Sequence, residues 1–308
     1  MKIIESLKTR GLKETNYAVF SYLKGLICSI LGIRYLIKNV NGSKMIIDLK
    51  DKGISRTLLL FGTREKEHLY FLKNTLKENS TLLELGANIG YYALYENKVL
   101  KGNLKLICVE PVKSNFDLLK SNLALNGIKN VYLENNAVSD IEGEVEFVTN
   151  ECSNMGSIKG DLNPIGGKEI IKVKTKSIIN YINKFEPDLI RMDIEGHEVN
   201  ILNAISEKIS ILKKLPSILF ETHNSRYKNN NSPNKSLQIL NDNGYKIKYA
   251  ATSNPKETNK LIKQGLKPEK IISTDGTKRG IYRDLPFSIL LNSFDRGRGF
   301  RTVLLTKD

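Results

Sequence analysis

Between residues 81 and 250 the chain alternates two patterns. Short runs rich in apolar residues at 81–85, 104–110, 130–134, 170–176, 187–193, 217–221 and 245–250 have the length and character of buried strands. Between most of them, residues 91–100, 114–126, 177–185, 197–208 and 236–243 space their apolar positions as helices do. Ser114-Asn115-Phe116-Asp117 offers one helix a capping start, and Gly127 and Gly244 offer stops. Such alternation predicts an α/β domain: a parallel sheet with right-handed crossovers and helices on both faces.

Outside that core the pattern weakens. Residues 1–40 read as helical and basic, 44–49 as a strand closed by the turn Asp51-Lys52-Gly53, 54–62 as a short connection and 65–77 as a helix. Residues 138–149, around Glu142-Gly143, read as a hairpin. The stretch 152–168, with Gly156, Gly160, Gly166 and Gly167, reads as a loop long enough to form a lid or flap. Residues 251–298 are polar and weakly patterned, and 301–306 form a last strand. The expected division is an extension over 1–75 and a main domain over 76–308, with 251–298 inserted before the last strand.

Charge and cysteine use narrow the setting. The net charge of +15 raises nucleic acid or an anionic membrane as partners. The lysines are scattered, however, and no basic run is interleaved with aromatics as base stacking requires, so nucleic acid is disfavoured. Cys28, Cys108 and Cys152 lie far apart, without metal-ligand spacing. With no cleavable leader at the N-terminus, they fit a reducing, cytoplasmic interior. Residues 17–40 are the best membrane candidate, but Lys24 and Arg34 interrupt them, whereas a span needs ~20 mostly apolar residues. An amphipathic helix that packs on the domain is expected there, with peripheral membrane contact as the alternative.

The chemistry concentrates at strand ends. Thr81-Leu82-Leu83-Glu84-Leu85-Gly86-Ala87-Asn88-Ile89-Gly90 reads as strand, glycine turn and helix start, and Glu110-Pro111 closes the next strand. Glu110 stands 20 residues after Gly90, about the spacing at which a carboxylate takes the ribose hydroxyls of a nucleoside. A dinucleotide fingerprint would need G-x-G-x-x-G, yet Ala87 replaces the second glycine. Glu84 on the incoming strand would repel a pyrophosphate but suit the ammonium of an amino acid. S-adenosylmethionine carries both that ammonium and a ribose, so the turn reads as a methyl-donor site.

Two further strand ends carry acidic groups. Asp193, in Arg191-Met192-Asp193-Ile194-Glu195-Gly196-His197-Glu198, and Glu221, in Phe220-Glu221-Thr222-His223, are 28 positions apart, a strand–helix–strand distance. Facing each other, they could hold substrate hydroxyls, share a proton or bind a divalent cation such as Mg²⁺. Helix capping by Asp193 is the structural alternative. His223 is a candidate general base on its ordinary pKa, with His197 a weaker one.

These residues together resemble the FkbM-type methyltransferase family. The resemblance rests on E-L-G-A-N-I-G-Y-Y, V-E-P with Asn115-Phe116, Leu125-Asn126, Ala137-Val138-Ser139-Asp140 before Glu142-Gly143, and M-D-I-E-G-H-E. Asp51-Lys52-Gly53-Ile54-Ser55 and Gly62-Thr63-Arg64-Glu65 resemble the lead-in of some members. The match covers roughly residues 45–250. It departs after Val173-Lys174-Thr175, where the family often has an aspartate and this chain has none.

The resemblance implies a class I Rossmann-like methyltransferase fold, an open, mostly parallel seven-stranded sheet, here with an N-terminal helical extension. It also implies S-adenosylmethionine as donor and a hydroxyl of a sugar, glycan or small metabolite as acceptor. On that basis Glu84 would face the methionine ammonium, and Gly86, Ala87, Asn88 and Gly90 would form the cofactor turn. Glu110, followed by Pro111, would take the ribose, and Asn136 or Ala137 would border adenine. Asp193, Glu221 and His223 would assist the acceptor. An RNA 2′-O-methyltransferase is one alternative, though it would need lysine where Glu221 stands. Amino-group methylation of the N-P-P-Y type is disfavoured, because Asn163-Pro164 continues as Ile165-Gly166. A non-catalytic binding protein on the same fold is the alternative from another class.

Overall fold

The computed structural model describes residues 3–159, 167–227, 232–296 and 298–307. Among the described residues, nine strands form the central sheet. Numbered along the chain they are β1 (Ser80–Leu85), β2 (Leu104–Val109), β3 (Val131–Glu134), β4 (Leu189–Met192), β5 (Ser217–Glu221), β6 (Tyr245–Thr252), β7 (Lys270–Thr274), β8 (Thr277–Leu285) and β9 (Phe300–Lys307). Their order across the sheet is β7-β8-β6-β9-β5-β4-β1-β2-β3. The run β3-β2-β1-β4-β5 is parallel, and β9 enters antiparallel between β5 and β6.

A run of seven strands is present from β3 to β6 across the sheet and the hairpin β7–β8 extends that edge to nine, but residues 170–176, expected in the parallel core, pair in a separate sheet. Strand order reverses between β2 and β4, on either side of β1, where open α/β sheets leave a crevice at their carboxyl ends.

Both sheet faces are covered, which is why the parallel strands are mostly apolar, with Glu84, Arg191 and Glu221 as buried charged exceptions. Leu83, Leu85, Ile107, Val109, Ile190 and Met192 pack against the helices Ile178–Phe185, Glu198–Glu207 and Asn234–Asp242. Leu82, Leu106, Cys108 and Leu219 point to the other face, against the helices Ile54–Phe61, Lys66–Thr75, Tyr91–Val99 and Lys113–Leu125. Cys108 is thus a small core residue.

Several expectations are corrected. Residues 54–62 are a helix, Ile54–Phe61, instead of a bare connection, because Ile54 and Leu58, about one turn apart, are buried on one face. Residues 138–149 do not form a hairpin. Ala137–Ser139 and Gly143–Asn150 both pair with Gly167–Ser177, one on each side, so Thr175 is opposite Ala137 and Gly143 at once. Residues 251–298 are structured, as the helices Pro255–Lys263 and Phe287–Asp295 around β7 and β8. Asn254 caps the first, accepting from the backbone amides of Lys256 and Glu257. Of the expected loop 152–168, Ser157–Ile158 pairs as a short strand, and residues 160–166, Asn163 to Ile165 included, lie outside the described residues.

The N-terminal region is a helix, Ile3–Ile30, bent where Gly11 takes φ 82°, followed by the antiparallel pair Tyr35–Val40 and Ser43–Asp48. No described helix is long and apolar enough to cross a membrane.

Candidate active site

The turn after β1 is drawn against the end of β2 by two hydrogen bonds. The amides of Gly86 and Ala87 both donate to the Val109 carbonyl at 3.0 Å. At φ 74°, Gly86 takes a conformation that favours glycine, and a Cβ there would lie 2.6 Å from the Asp193 carbonyl oxygen. Its primary constraint is therefore the seam between β1 and β4. Gly90 faces the Leu119 side chain.

A cleft opens beside this seam. Gly86, Asn88, Glu110, Pro111, Asn136 and Ala137 line it, and so do Asp193, Glu195 and His197 from the β4 end. Glu84, Ala87, Gly90, Glu221 and His223 are not among its lining residues.

Glu110 is the buried carboxylate of the cleft. It accepts from the amides of Asn88 (2.8 Å) and Val112 (3.0 Å) and from Asn115 Nδ2 (3.3 Å). Burial pushes its pKa up to about 7 despite these donors. Asn88 sits at φ 50°, a conformation asparagine tolerates, and its Nδ2 donates to the Ser153 carbonyl at 3.1 Å. Asn136 donates to the Ala137 carbonyl at 2.8 Å and pairs with the Tyr181 hydroxyl.

Glu84 turns away from the cleft. Its carboxylate meets Arg191 at 3.2 Å, and that guanidinium also lies 3.5 Å over the Tyr92 ring and 3.4 Å from Asp193. Burial raises the Glu84 pKa against the pull of Arg191, and Glu96, buried beside Glu84, is pushed well above the carboxylate range. Glu84 therefore reaches the site only through Arg191 and Asp193.

Beyond the ends of β4 and β5 lies a cluster of opposed charges. His223 Nδ1 is 3.1 Å from Glu198, and Nε2 is 3.2 Å from Glu221, 3.6 Å from Glu195 and 3.8 Å from Asp193. Arg226 pairs with Glu195 and Arg301 with Glu221. Burial alone would lower the His223 pKa, but Glu198 and Glu221 outweigh it and hold it well above 6.5. The expectation of a histidine titrating near neutrality is not met, because the sequence did not show four carboxylates converging on one ring.

The Asp193 pKa is raised by burial and by Glu221, against Arg191 and His223. Burial raises Glu195 to about 7. Glu198 accepts from the amides of Ile194 and Gly196, both at 2.9 Å, and so serves as the helix-start carboxylate. His197 instead pairs through Nε2 with Ser139 at 3.0 Å.

Two features went beyond the sequence reading. One is how the Ser153 segment, within the stretch expected as a lid or flap, is seated. Ser153 donates through its amide and its hydroxyl to Asp51, both at 2.9 Å, and its carbonyl accepts from Asn88 and Asn115. A Cβ at Gly53 would lie 2.8 Å from the Ser153 amide nitrogen, so Asp51-Lys52-Gly53 is a seat for this segment as well as a turn. The other is Glu65 with His68, which the lead-in brings beside Glu221. Glu65 takes the Tyr92 hydroxyl and Arg64, while neither nitrogen of the fully buried His68 has a hydrogen-bond partner among the described residues. Arg64-Glu65 stood in the lead-in motif, the only signal available.

Comparison with known proteins gives a family match over the same region. Residues 84–247 match the family described as the methyltransferase FkbM domain. The methyltransferase sdnD of Sordaria araneosa is 25% identical over 174 residues, 46% of this chain and 66% of its own length. A solved FkbM methyltransferase from Methylobacillus flagellatus KT is 18% identical with a TM-score of 0.39, over 60% of this chain and 46% of that one. TYW2 of M. jannaschii, solved in complex with AdoMet, is 14% identical with a TM-score of 0.41, over 89% and 87%. The chain thus spans just under two-thirds of sdnD and under half of the Methylobacillus protein.

Proposed function

Because the chain belongs to the methyltransferase FkbM domain family, we propose that it transfers a methyl group from S-adenosylmethionine to a hydroxyl oxygen. The acceptor would be a sugar, a glycan or a small metabolite. The observation that carries this reading is the cleft at the β1–β4 seam, where Gly86, Glu110 and Asn136 from three successive strand ends face Asp193 from a fourth. The residues fit the donor: a carboxylate at the end of β2 suits ribose hydroxyls, and the close backbone of the β1 turn leaves room for the methionine arm. The donor supplies an activated methyl on a sulfonium.

The protein's part is alignment and proton removal. Glu110 anchors the nucleoside end, Asn136 and Ala137 flank the base, and the Ser153 segment closes over them. This leaves the acceptor oxygen to approach from the Asp193 side, in line with the bond to be broken. Once bound, the donor would supply the methyl and leave as the thioether, and a carboxylate of this chain would take the proton from the acceptor oxygen. Asp193, with Glu195 beside it, is the candidate, since both line the cleft and a raised carboxylate pKa suits proton acceptance near neutrality. Glu221 and His223 lie behind them as positioning residues.

A divalent cation is the second reading for this cluster, and charge balance weighs against it. Asp193, Glu195, Glu198 and Glu221 already face Arg191, Arg226, Arg301 and the His223 imidazolium. The test is transfer of labelled methyl from S-adenosylmethionine to fractionated sugars, glycans and RNA, with and without EDTA. Label entering a hydroxyl-bearing sugar fraction, unaffected by EDTA, supports the reading. Label entering RNA alone, or loss of transfer with EDTA and recovery with Mg²⁺, replaces it.

A further inference from the structure

The N-terminal helix was expected to pack on the domain, with contact to a membrane surface as the alternative; it does pack, but through small residues, and leaves its large apolar side chains outward. Ala18, Ser21 and Gly25 face inward, and a Cβ at Gly25 would lie 2.8 Å from Leu59. The outward side carries Phe20, Leu23, Leu26, Ile27 and Ile30, with Phe20 69% and Ile30 75% exposed. Leu31, just past the helix, is 70% exposed, and Tyr35 and Ile37 of the following strand continue the surface. This is a contiguous apolar surface of a kind monomeric proteins rarely leave to water.

We infer that this face seats the protein on an anionic lipid bilayer surface. The first argument is the width of the apolar arc. At ~100° per residue, the exposed apolar side chains from Tyr22 round to Tyr17 cover roughly 220° of the helix. A partner helix or domain face takes a stripe of about 100°. A helix lying at a membrane interface can bury a much wider arc, because acyl chains conform to it from both sides.

The second argument is charge. Residues 1–40 carry seven basic and two acidic side chains, in a protein of net charge +15. Exposed Lys24 stands inside the apolar arc near its Tyr17 edge, and Arg34, which follows the helix, is paired with Asp48. Tyr17, Tyr22 and Tyr35 add rings with a polar tip, which favour the headgroup level. The helix lies on the surface and does not cross, in keeping with its composition.

The test is co-sedimentation of the full chain with vesicles of phosphatidylcholine alone or mixed with phosphatidylglycerol. The expected result is pelleting with the mixed vesicles, weakened by salt. The double variant F20E/I27E, with its thermal melt unchanged, should lose about tenfold or more of that partitioning. K24E keeps the apolar arc and should weaken binding to the mixed vesicles alone. Protein that stays in the supernatant with both vesicle types overturns the inference. Equal binding to both types overturns its electrostatic part. A dimer in sedimentation velocity that F20E/I27E dissolves, without vesicle binding, assigns the face to a second copy instead.

Discussion

The two halves of the candidate site meet at one seam but secure their polar groups by different means. On the β1–β3 side, Glu110 is held by two backbone amides and one asparagine, and the β1 turn by the Val109 carbonyl. On the β4–β5 side, side-chain charges hold one another, and His223 sits among four carboxylates. Backbone donors do not titrate and come with the local fold. Paired buried charges depend on every member, since removing one strands its partner without water. The first half is therefore robust except at Glu110, and the second is sensitive at each member.

The largest expected effect comes from breaking the seam itself. Gly86→Val places a β-branched side chain at φ 74° and within 2.6 Å of the Asp193 carbonyl, so it should abolish S-adenosylhomocysteine binding and lower the melting temperature. Calorimetry with near-native affinity in this variant would show that the halves are not coupled there.

Next comes His223→Ala, which leaves buried carboxylates uncompensated and should cost about 3–5 kcal/mol of stability in denaturant titrations. The sign with pH follows from the raised pKa. The stabilisation by the imidazolium is fully present below its ordinary value of 6.5 and is lost as pH rises through the higher folded value. Wild type should weaken in the alkaline range, and the variant should lack that decline.

Glu110→Ala is smaller, about 1.5–3 kcal/mol of cofactor affinity, the range for a charge-assisted hydrogen bond. With its pKa near 7, Glu110 should also make wild-type affinity for S-adenosylhomocysteine fall as pH drops through about 7. An affinity flat across that range in calorimetry would remove Glu110 from the ligand. Smallest is Asp51→Ala, which frees the Ser153 segment from two hydrogen bonds. It should weaken cofactor binding by about 1–2 kcal/mol while leaving the methyl-acceptor side unchanged.

The same division separates what sequence reading reached from what it missed. The β1 turn and the β2 end were legible because strand, turn and helix follow one another within about one βαβ unit. The charge cluster was only half legible: Asp193, Glu221 and His223 were singled out, but Arg301 comes from β9 and Arg226 from beyond β5. Residues 251–298 looked featureless because β7 is a sheet edge exposing Lys270, Ile271 and Ser273, so no buried apolar run marks it. Its partner strand rests on contacts between elements, whereas the helix Pro255–Lys263 carried a local start signal in Asn254-Pro255 that periodicity alone does not show.

By itself the sequence determined the alternation of strands and helices, the glycine turn and the placing of acidic residues at strand ends. These follow from local periodicity and backbone preference, which neighbouring residues specify. Only the tertiary structure decided that Glu84 faces Arg191 instead of the cleft, that four carboxylates surround the His223 ring, and that the N-terminal helix turns its apolar side outward. Each of those depends on which distant side chain shares a few ångströms of low-dielectric space, and spacing along a chain does not encode that distance.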